Sequence, residues 1–330
     1  MKKLVCLVLA LLISLLSAFA VHAEETGTVN LTDAHAYETA TSLCFIEDTL
    51  YVLGSYGVYE YKDGELKTLV DLTDAYVYRY NQQRPEDAAG AAAWDRIIGY
   101  LFTDGKVLYG LHPYTGQIFK IEDGQLNACV QIPKNLLYAE EEEFFREIKG
   151  ITYAGEKLIL LLGTDTYDDY EKTEIVLIDL NDQKHQVSAI KNVQSIAAGA
   201  AGKLLVYVGA EQAAIWQYDI ATDTLEKMVE QIEDGIFPSG LAGYKQSVVY
   251  LEDSKVVLID ENGKDLVKAY MPIQYAHTST PSACSENGMY AYPYSNYVFL
   301  RDVGIEGEAK QTVLTLMGNV SSKTIIDFTI

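Results

Sequence analysis

The stretch Ser42–Leu72 reads SLCFIEDTLYVLGSYGVYEYKDGELKTLVDL and contains short alternating segments separated by turn residues. Tyr51, Leu53 and Tyr59 belong to the alternation that is typical of adjacent half-buried strands. The turn residues Lys62–Gly64 provide the left-handed backbone that a short hairpin needs. The stretch therefore predicts one antiparallel unit of four strands.

The same order of strands and turns recurs along the chain. In Ile98–Ile132, IGYLFTDGKVLYGLHPYTGQIFKIEDGQLNACVQI, the turn residues Glu122-Asp123-Gly124 occupy the corresponding place. The further copies cover about Gly150–Ile190, Val193–Ile232 and Gly235–Ile273, and the last begins near Pro281. A period of roughly 40 to 55 residues is typical of the four-stranded blades of β-propellers.

The repeat predicts an all-β fold, a single β-propeller of about six four-stranded blades, with seven as the alternative, over residues 24–311. One such sheet cannot bury both of its faces alone, so blades must stack around an axis. The outer strand of the last blade comes either from Thr28–Thr41 or from the chain near Val313–Leu316.

The first 23 residues have the pattern of a cleavable signal peptide. Lys2 and Lys3 precede the apolar run Leu4–Val21, and Val21-His22-Ala23 is a small-residue exit. We expect a bacterial protein that is secreted or held at the cell envelope, with no stable membrane insertion after cleavage. Loss of the two lysines would change the formal net charge from −22 to −24. So acidic a surface repels nucleic acid, which is excluded as a partner.

Three cysteines follow the signal: Cys44, Cys129 and Cys284. They are too few for a fold built on disulfides. Cys44 and Cys284 occupy similar places in the first and last units, which a closed ring makes neighbours. A disulfide between them would lock the ring, and buried free thiols are the alternative.

Two insertions interrupt the period, at Asp74–Asp95 and Asn135–Lys149. A short helix is the hypothesis for the second. Long connections on a propeller decorate one face and often carry function. Aromatic rings exposed on loops stack on sugars or anchor protein partners. The aromatic binding candidates are Trp94, Tyr76, Tyr78, Tyr80, Tyr114, Tyr292, Tyr294 and Tyr297.

Histidines and acidic residues add weaker candidates. His112 lies in a turn, and His277 precedes an innermost strand, close to the expected mouth of the central channel. We expect no cofactor, with calcium as the exception, since an acidic loop offers hard oxygen ligands. The calcium candidates are Asp165, Asp168, Asp169 and Glu171.

The segments LYVLGSYGVYEYKDGELKTL, AIWQYDIATDTLEKM and KVVLIDENGKDL resemble the blades of bacterial exported β-propellers. Residues 312–330, TVLTLMGNVSSKTIIDFTI, resemble the opening of a bacterial extracellular solute-binding protein, with Leu314-Thr315-Leu316, Gly318 and Ile325–Phe328 matching. This second resemblance implies a propeller fused to a binding protein whose remainder is absent. Otherwise, these residues add a last strand to the propeller.

The local signatures of catalysis, such as G-x-S-x-G and HExxH, do not occur in the sequence. We therefore expect a recognition module that binds a carbohydrate, a peptide or a cell-surface protein through loops on one face, accessory to solute capture. One alternative is an extracellular polysaccharide lyase or hydrolase, with carboxylates and His112 or His277 at the channel mouth. The other is a structural spacer.

Overall fold

The computed structural model describes residues 39–55, 57–72, 76–78, 94–96, 98–113, 115–139, 144–163, 173–209, 213–229, 239–252, 255–260, 262, 265–270, 281–303 and 311–316. These residues belong to one compact unit, Tyr37–Ile330. The predicted signal peptide, residues 1–23, lies outside the described residues. Within the described ranges, no helix is long and apolar enough to cross a bilayer.

The first half of the ring consists of three four-stranded antiparallel sheets and two short insertions. Blade 1 contains β1 (Ser42–Ile46), β2 (Thr49–Leu53), β3 (Gly57–Lys62) and β4 (Glu65–Asp71), and the hairpin of β5 (Tyr76–Tyr78) and β6 (Trp94–Arg96) follows it. Blade 2 contains β7 (Tyr100–Thr103), β8 (Leu108–Leu111), β9 (Gln117–Glu122) and β10 (Gln125–Gln131). Next come the helix α1 (Lys134–Leu137) and the hairpin of β11 (Tyr138–Ala139) and β12 (Phe144–Phe145). Blade 3 contains β13 (Glu147–Ala154), β14 (Lys157–Gly163), β15 (Glu174–Ile178) and β16 (His185–Val187).

The second half consists of three more sheets of the same design. Blade 4 contains β17 (Val193–Ala198), β18 (Leu204–Val208), β19 (Ala214–Asp219) and β20 (Thr224–Val229), with a 3-10 turn at Ala200–Gly202. Blade 5 contains β21 (Ser239–Tyr244), β22 (Ser247–Glu252), β23 (Lys255–Ile259) and β24 (Asp265–Tyr270). Blade 6 contains β25 (Ala283–Cys284), β26 (Met289–Tyr294), β27 (Tyr297–Asp302) and β28 (Gln311–Thr315).

The first strands of the six blades contact one another in order around the ring, and β25 of blade 6 contacts β1 of blade 1. The prediction of an all-β propeller is therefore confirmed, with six blades. The outer strand of blade 6 is β28, so residues 311–315 complete the propeller. At the N-terminal side, the Ala40 N–H donates to the Ser295 carbonyl at 2.8 Å.

Two of the hairpin turns show why the sequence pattern predicted the blades. Asp63 and Gly64 have φ values of 50° and 78°, and Asp123 and Gly124 have φ values of 50° and 72°. Two successive left-handed residues match the twist of the strands that they join, and glycine adopts this conformation without steric cost.

Each interface between neighbouring blades contains its own apolar cluster. Successive residues of a strand belong to different clusters, because their side chains point to opposite faces of the sheet. In β1, Leu43 packs toward blade 6, whereas Cys44 packs toward blade 2. The ring-closing interface joins Leu50 of blade 1 to Leu300 of blade 6.

At four of these interfaces, a side-chain hydroxyl of one blade donates a hydrogen bond to a backbone carbonyl of the neighbouring blade. The donors and acceptors are Ser42 and Leu101, Tyr100 and Ile148, Thr173 and Val193, and Tyr290 and Gly240. The Ser42 oxygen also accepts from the Leu101 N–H at 2.9 Å. These bonds satisfy polar groups at the seams between the blades.

The second insertion differs from the helix hypothesis. Among the residues of this insertion that the structure describes, Lys134–Leu137 alone is helical, and Phe144–Phe145 pairs with Tyr138–Ala139 as a hairpin strand. Ile148 is already part of β13 and is buried between blades 2 and 3. Sheet pairing therefore overrides the helical spacing of the apolar residues in this insertion.

Cys44 and Cys284 are free thiols, so the disulfide hypothesis for this pair is not supported. The alternation of β-strand side chains is the physical reason. Cys44 packs in the cluster between blades 1 and 2, whereas Cys284 packs in the cluster between blades 5 and 6. The two thiols therefore point away from the interface that blades 1 and 6 share. Cys129, in contrast, is exposed.

We expect Leu50→Ala to lower the free energy of unfolding by about 2–5 kcal/mol, because it leaves a cavity in the ring-closing interface. Leu50 is 0% exposed, whereas Leu225 on the outer strand β20 is 43% exposed. Leu225→Ala is the control and should change the free energy by no more than about 0.5 kcal/mol. Urea unfolding followed by fluorescence measures both variants, and equal losses would contradict the interface model.

We expect iodoacetamide to alkylate Cys129 well before Cys44 in the native chain. Cys44 is buried, and burial raises its pKa to about 12, which suppresses the reactive thiolate. Mass spectrometry of native and urea-unfolded samples, with and without prior reduction, measures the order. The contradicting result is a rise in free thiol content on reduction, together with a disulfide-linked pair of peptides that contain Cys44 and Cys284.

Candidate binding face

The antiparallel order of each blade divides its connections between two edges of the ring. The connection face is the edge at which the second strand of each blade ends, at Leu53, Leu111, Gly163, Val208, Glu252 and Tyr294. First strands begin and fourth strands end at this same edge, because neighbouring strands run in opposite directions. Both insertions join a fourth strand to the next first strand, so both leave from the connection face.

Tyr294 and Tyr297 lie on the connection face at the turn between β26 and β27. They are direct cross-strand partners, and their side chains are 41% and 36% exposed. Beneath them, Tyr292 pairs with Phe299, and the rings of Tyr297 and Phe299 lie 6.4 Å apart between centroids. An aromatic ladder therefore runs from the core between blades 5 and 6 to the surface.

The turn that carries the exposed tyrosines is held on both sides. The Ser295 carbonyl accepts the Ala40 N–H, and the Asn296 carbonyl accepts the Leu316 N–H, both at 2.8 Å. Ser295 has a φ of 57°, as a tight two-residue turn requires. The hairpin tip is thus tied to the chain entering blade 1 and to the chain leaving β28.

Tyr292 belongs to the core rather than to the surface, in contrast to the expectation that it is an exposed binding residue beside a turn. It is 1% exposed and packs between blades 5 and 6. Gly240 leaves the space that its ring occupies, since a Cβ at Gly240 would lie 2.7 Å from a Tyr292 ring carbon.

His112 stabilises its own turn. It is 3% exposed, and its Nδ1 accepts the Thr115 N–H at 3.3 Å. Its backbone N–H donates to the Gln117 carbonyl, and its carbonyl accepts the Gly116 N–H. The side chain is therefore part of the blade 2 turn rather than an exposed group at the channel mouth.

In the first insertion, β5 and β6 place Tyr78 opposite Trp94 and Tyr76 opposite Arg96 along the backbone. The other aromatic candidates, Tyr80 and Tyr114, lie outside the described residues, as does His277. The calcium candidates Asp165, Asp168, Asp169 and Glu171 also lie outside them. Among the residues that the structure describes, no group of three or more His, Cys, Asp or Glu could hold a metal ion.

A charged cluster on the connection face was missed by the sequence reasoning. The blade 3–4 rim consists of Arg146, Glu147, Lys149, Glu174 and Gln194. Arg146 Nη2 lies 2.7 Å from Glu174 Oε2, and Lys149 Nζ lies 3.5 Å from Glu147 Oε2. The available signal was the pair of basic residues that ends the otherwise acidic second insertion.

The opposite edge carries acidic turns with structural partners. The pKa of Asp182 is lowered by the side-chain hydrogen bond from Lys184, and that of Asp219 is lowered by the backbone N–H of Thr222. Burial, followed by the hydrogen bond to Asp223, raises the pKa of Tyr218 to about 12. These carboxylates accept hydrogen bonds that hold turns and strands in place.

No family model matches the chain, and no curated protein matches its sequence. Solved structures do match. A gluconolactonase from Xanthomonas campestris is 12% identical, with 81% of this chain and 84% of that chain covered and a TM-score of 0.50. Virginiamycin B lyase from Staphylococcus aureus is 13% identical, with 91% of this chain and 86% of that chain covered and a TM-score of 0.43. The extracellular domain of a one-component system from B. thetaiotaomicron is 11% identical, with 86% of this chain and 39% of that chain covered and a TM-score of 0.44. At such identities the likeness shows the fold alone.

Proposed function

We propose that this six-bladed propeller is a non-catalytic recognition module that binds a carbohydrate, a peptide or a protein partner at its connection face. The exposed pair Tyr294 and Tyr297 is the observation that carries the proposal. Two large aromatic side chains stand at the end of a buried aromatic ladder, 41% and 36% exposed, on the face that also bears both insertions.

Such a pair of tyrosines loses little conformational entropy on binding. Tyrosine has two rotatable side-chain angles and offers an apolar ring with a polar tip, so it binds at low entropic cost. The two backbone hydrogen bonds at Ser295 and Asn296 hold the turn before a ligand arrives. Preorganised aromatic residues of this kind are frequent binding hot spots.

Export and a role accessory to extracellular solute capture are part of the proposal. The signal pattern at residues 1–23 supports export, and the acidic charge of the chain supports the absence of nucleic acid partners. The fusion with a solute-binding domain stays a prediction from residues 312–330. Calcium remains a proposed ligand of the acidic loop, so binding is best measured with and without it.

We expect the double variant Tyr294→Ala/Tyr297→Ala to weaken binding at least about tenfold, since truncated hot spots each cost more than about 1 kcal/mol. The probe is a glycan and peptide array, followed by titration of the best-bound compounds with and without calcium. The double variant Val187→Ala/Leu225→Ala is the matched control, because its side chains are similarly exposed, at 46% and 43%, on outer strands.

Three results would contradict the proposal. If the tyrosine variant and the control bind equally well, the connection face at blade 6 is not the binding surface. Cleavage of an array glycan supports the lyase or hydrolase alternative instead. The absence of any bound compound favours the structural spacer.

We expect the mature chain to be recovered outside the cytoplasm of a bacterial host, beginning near Glu24. N-terminal sequencing and intact mass of the exported and cell-associated fractions measure this. Recovery only in the cytoplasm with Met1 retained would contradict export, and it leaves the binding measurement unaffected.

A further inference from the structure

The first strands of blades 3, 4 and 5 each contain a bulge near the connection face, and in blades 3 and 4 the extra residue has a long polar side chain. The pairing of β13 with β14 shifts register between Ile148 and Gly150, and that of β17 with β18 shifts between Val193 and Ser195. The extra residues are Lys149 and Gln194. Bulges of this kind re-aim side chains and are frequent beside binding sites.

Both extra residues lie across a glycine at the end of the second strand. A Cβ at Gly163 would collide with Lys149 Cε, and a Cβ at Gly209 would collide with Gln194 Nε2. The missing side chains therefore make room for two long polar side chains in neighbouring blades. The same arrangement occurs twice, once with an ammonium and once with an amide.

Two ion pairs complete the blade 3–4 rim around Gly163. Arg146 and Glu174 have side chains that are 16% and 35% exposed, whereas Lys149 and Glu147 are 23% and 54% exposed. In both pairs the carboxylate is the more exposed partner. The rim thus presents carboxylate acceptors beside cationic donors, and the two positive and two negative charges of these four described residues balance.

The two blades are held together at this point. The Thr173 hydroxyl donates to the Val193 carbonyl at 2.7 Å across the seam. Thr173 precedes Glu174, and Val193 precedes Gln194, so this buried bond sets the two halves of the rim beside each other. The polar groups are therefore preorganised rather than carried by independent loops.

We propose that the blade 3–4 rim binds a neutral, hydroxyl-rich ligand, namely a sugar without charged groups. A vicinal diol donates to a carboxylate and accepts from an ammonium, a guanidinium or an amide, which is the set of groups that the rim offers. A carboxylate-bearing sugar would meet Glu147 and Glu174, and a cationic sugar would meet Arg146 and Lys149. Charge balance at the rim thus favours the neutral ligand.

This site is separate from the Tyr294–Tyr297 hairpin, so its test is independent of the hairpin test. Lys149→Met and Gln194→Leu remove the polar tips and keep the length of the side chains. Lys157→Met is the matched control, because Lys157 lies at the opposite edge of the same blade, 3.8 Å from Asp179, with a similar exposure of 33%. Urea unfolding of all three variants confirms that each one folds.

The probe is a panel of neutral oligosaccharides with uronic-acid and amino-sugar counterparts of the same linkage. We expect the intact chain to bind neutral members, and Lys149→Met and Gln194→Leu to weaken that binding about tenfold each. Lys157→Met should bind as the intact chain does. Raising the salt concentration should leave the binding unchanged, because the ligand carries no charge.

Three outcomes would overturn the proposal: preference for a charged counterpart, equal binding by Lys149→Met and Lys157→Met, or no binding of any oligosaccharide. The Tyr294→Ala/Tyr297→Ala variant separates the two sites. If that variant loses peptide or protein binding while the rim variants bind neutral oligosaccharides no more weakly than the intact chain does, the proposed function stands and the sugar site does not.

Discussion

Every blade of this protein depends on apolar packing against two neighbours. A four-stranded sheet with apolar side chains on both faces exposes both of them to water until a neighbouring sheet covers each face. The six clusters between the blades supply that cover, and the cluster with Leu50 and Leu300 closes the ring. Because each face has its own cluster, the stability of one blade rests on the blades beside it. Cys44, Cys129 and Cys284, the cysteines among the described residues, are free thiols.

Polar bonds at the seams follow from the same arrangement. Where two blades meet, hydroxyls such as those of Ser42 and Thr173 bind carbonyl oxygens of the neighbouring first strands. These bonds fix the positions of the strand ends at the connection face. The charged rim of blades 3 and 4 lies on strand ends that are held in this way. The exposed tyrosines of blade 6 flank a turn that is held by backbone hydrogen bonds from Ala40 and Leu316. The groups proposed to bind ligands thus stand on hydrogen-bonded strand ends and turns of the fold.

The surroundings of each candidate side chain, and not its position in the chain, decided whether it is buried or exposed. Tyr292 and Tyr294 lie two residues apart on the same face of β26, yet Tyr292 is buried between blades 5 and 6 whereas Tyr294 is exposed. His112 lies in a turn, but the turn folds over it. Cys44 and Cys284 occupy similar places in neighbouring blades, and their side chains point to opposite sides of the shared interface.

The amino-acid sequence alone determined the repeat, the four strands of each blade and the left-handed turns at Asp63-Gly64 and Asp123-Gly124. These features are local, since alternation and turn chemistry act between residues that are close in the chain. The tertiary structure alone decided the blade count, the exposure of Tyr294 and Tyr297, and the placement of Lys149 against Gly163 and of Gln194 against Gly209. Such features depend on how neighbouring sheets cover one another and on where a strand gains an extra residue, and neither follows from local spacing.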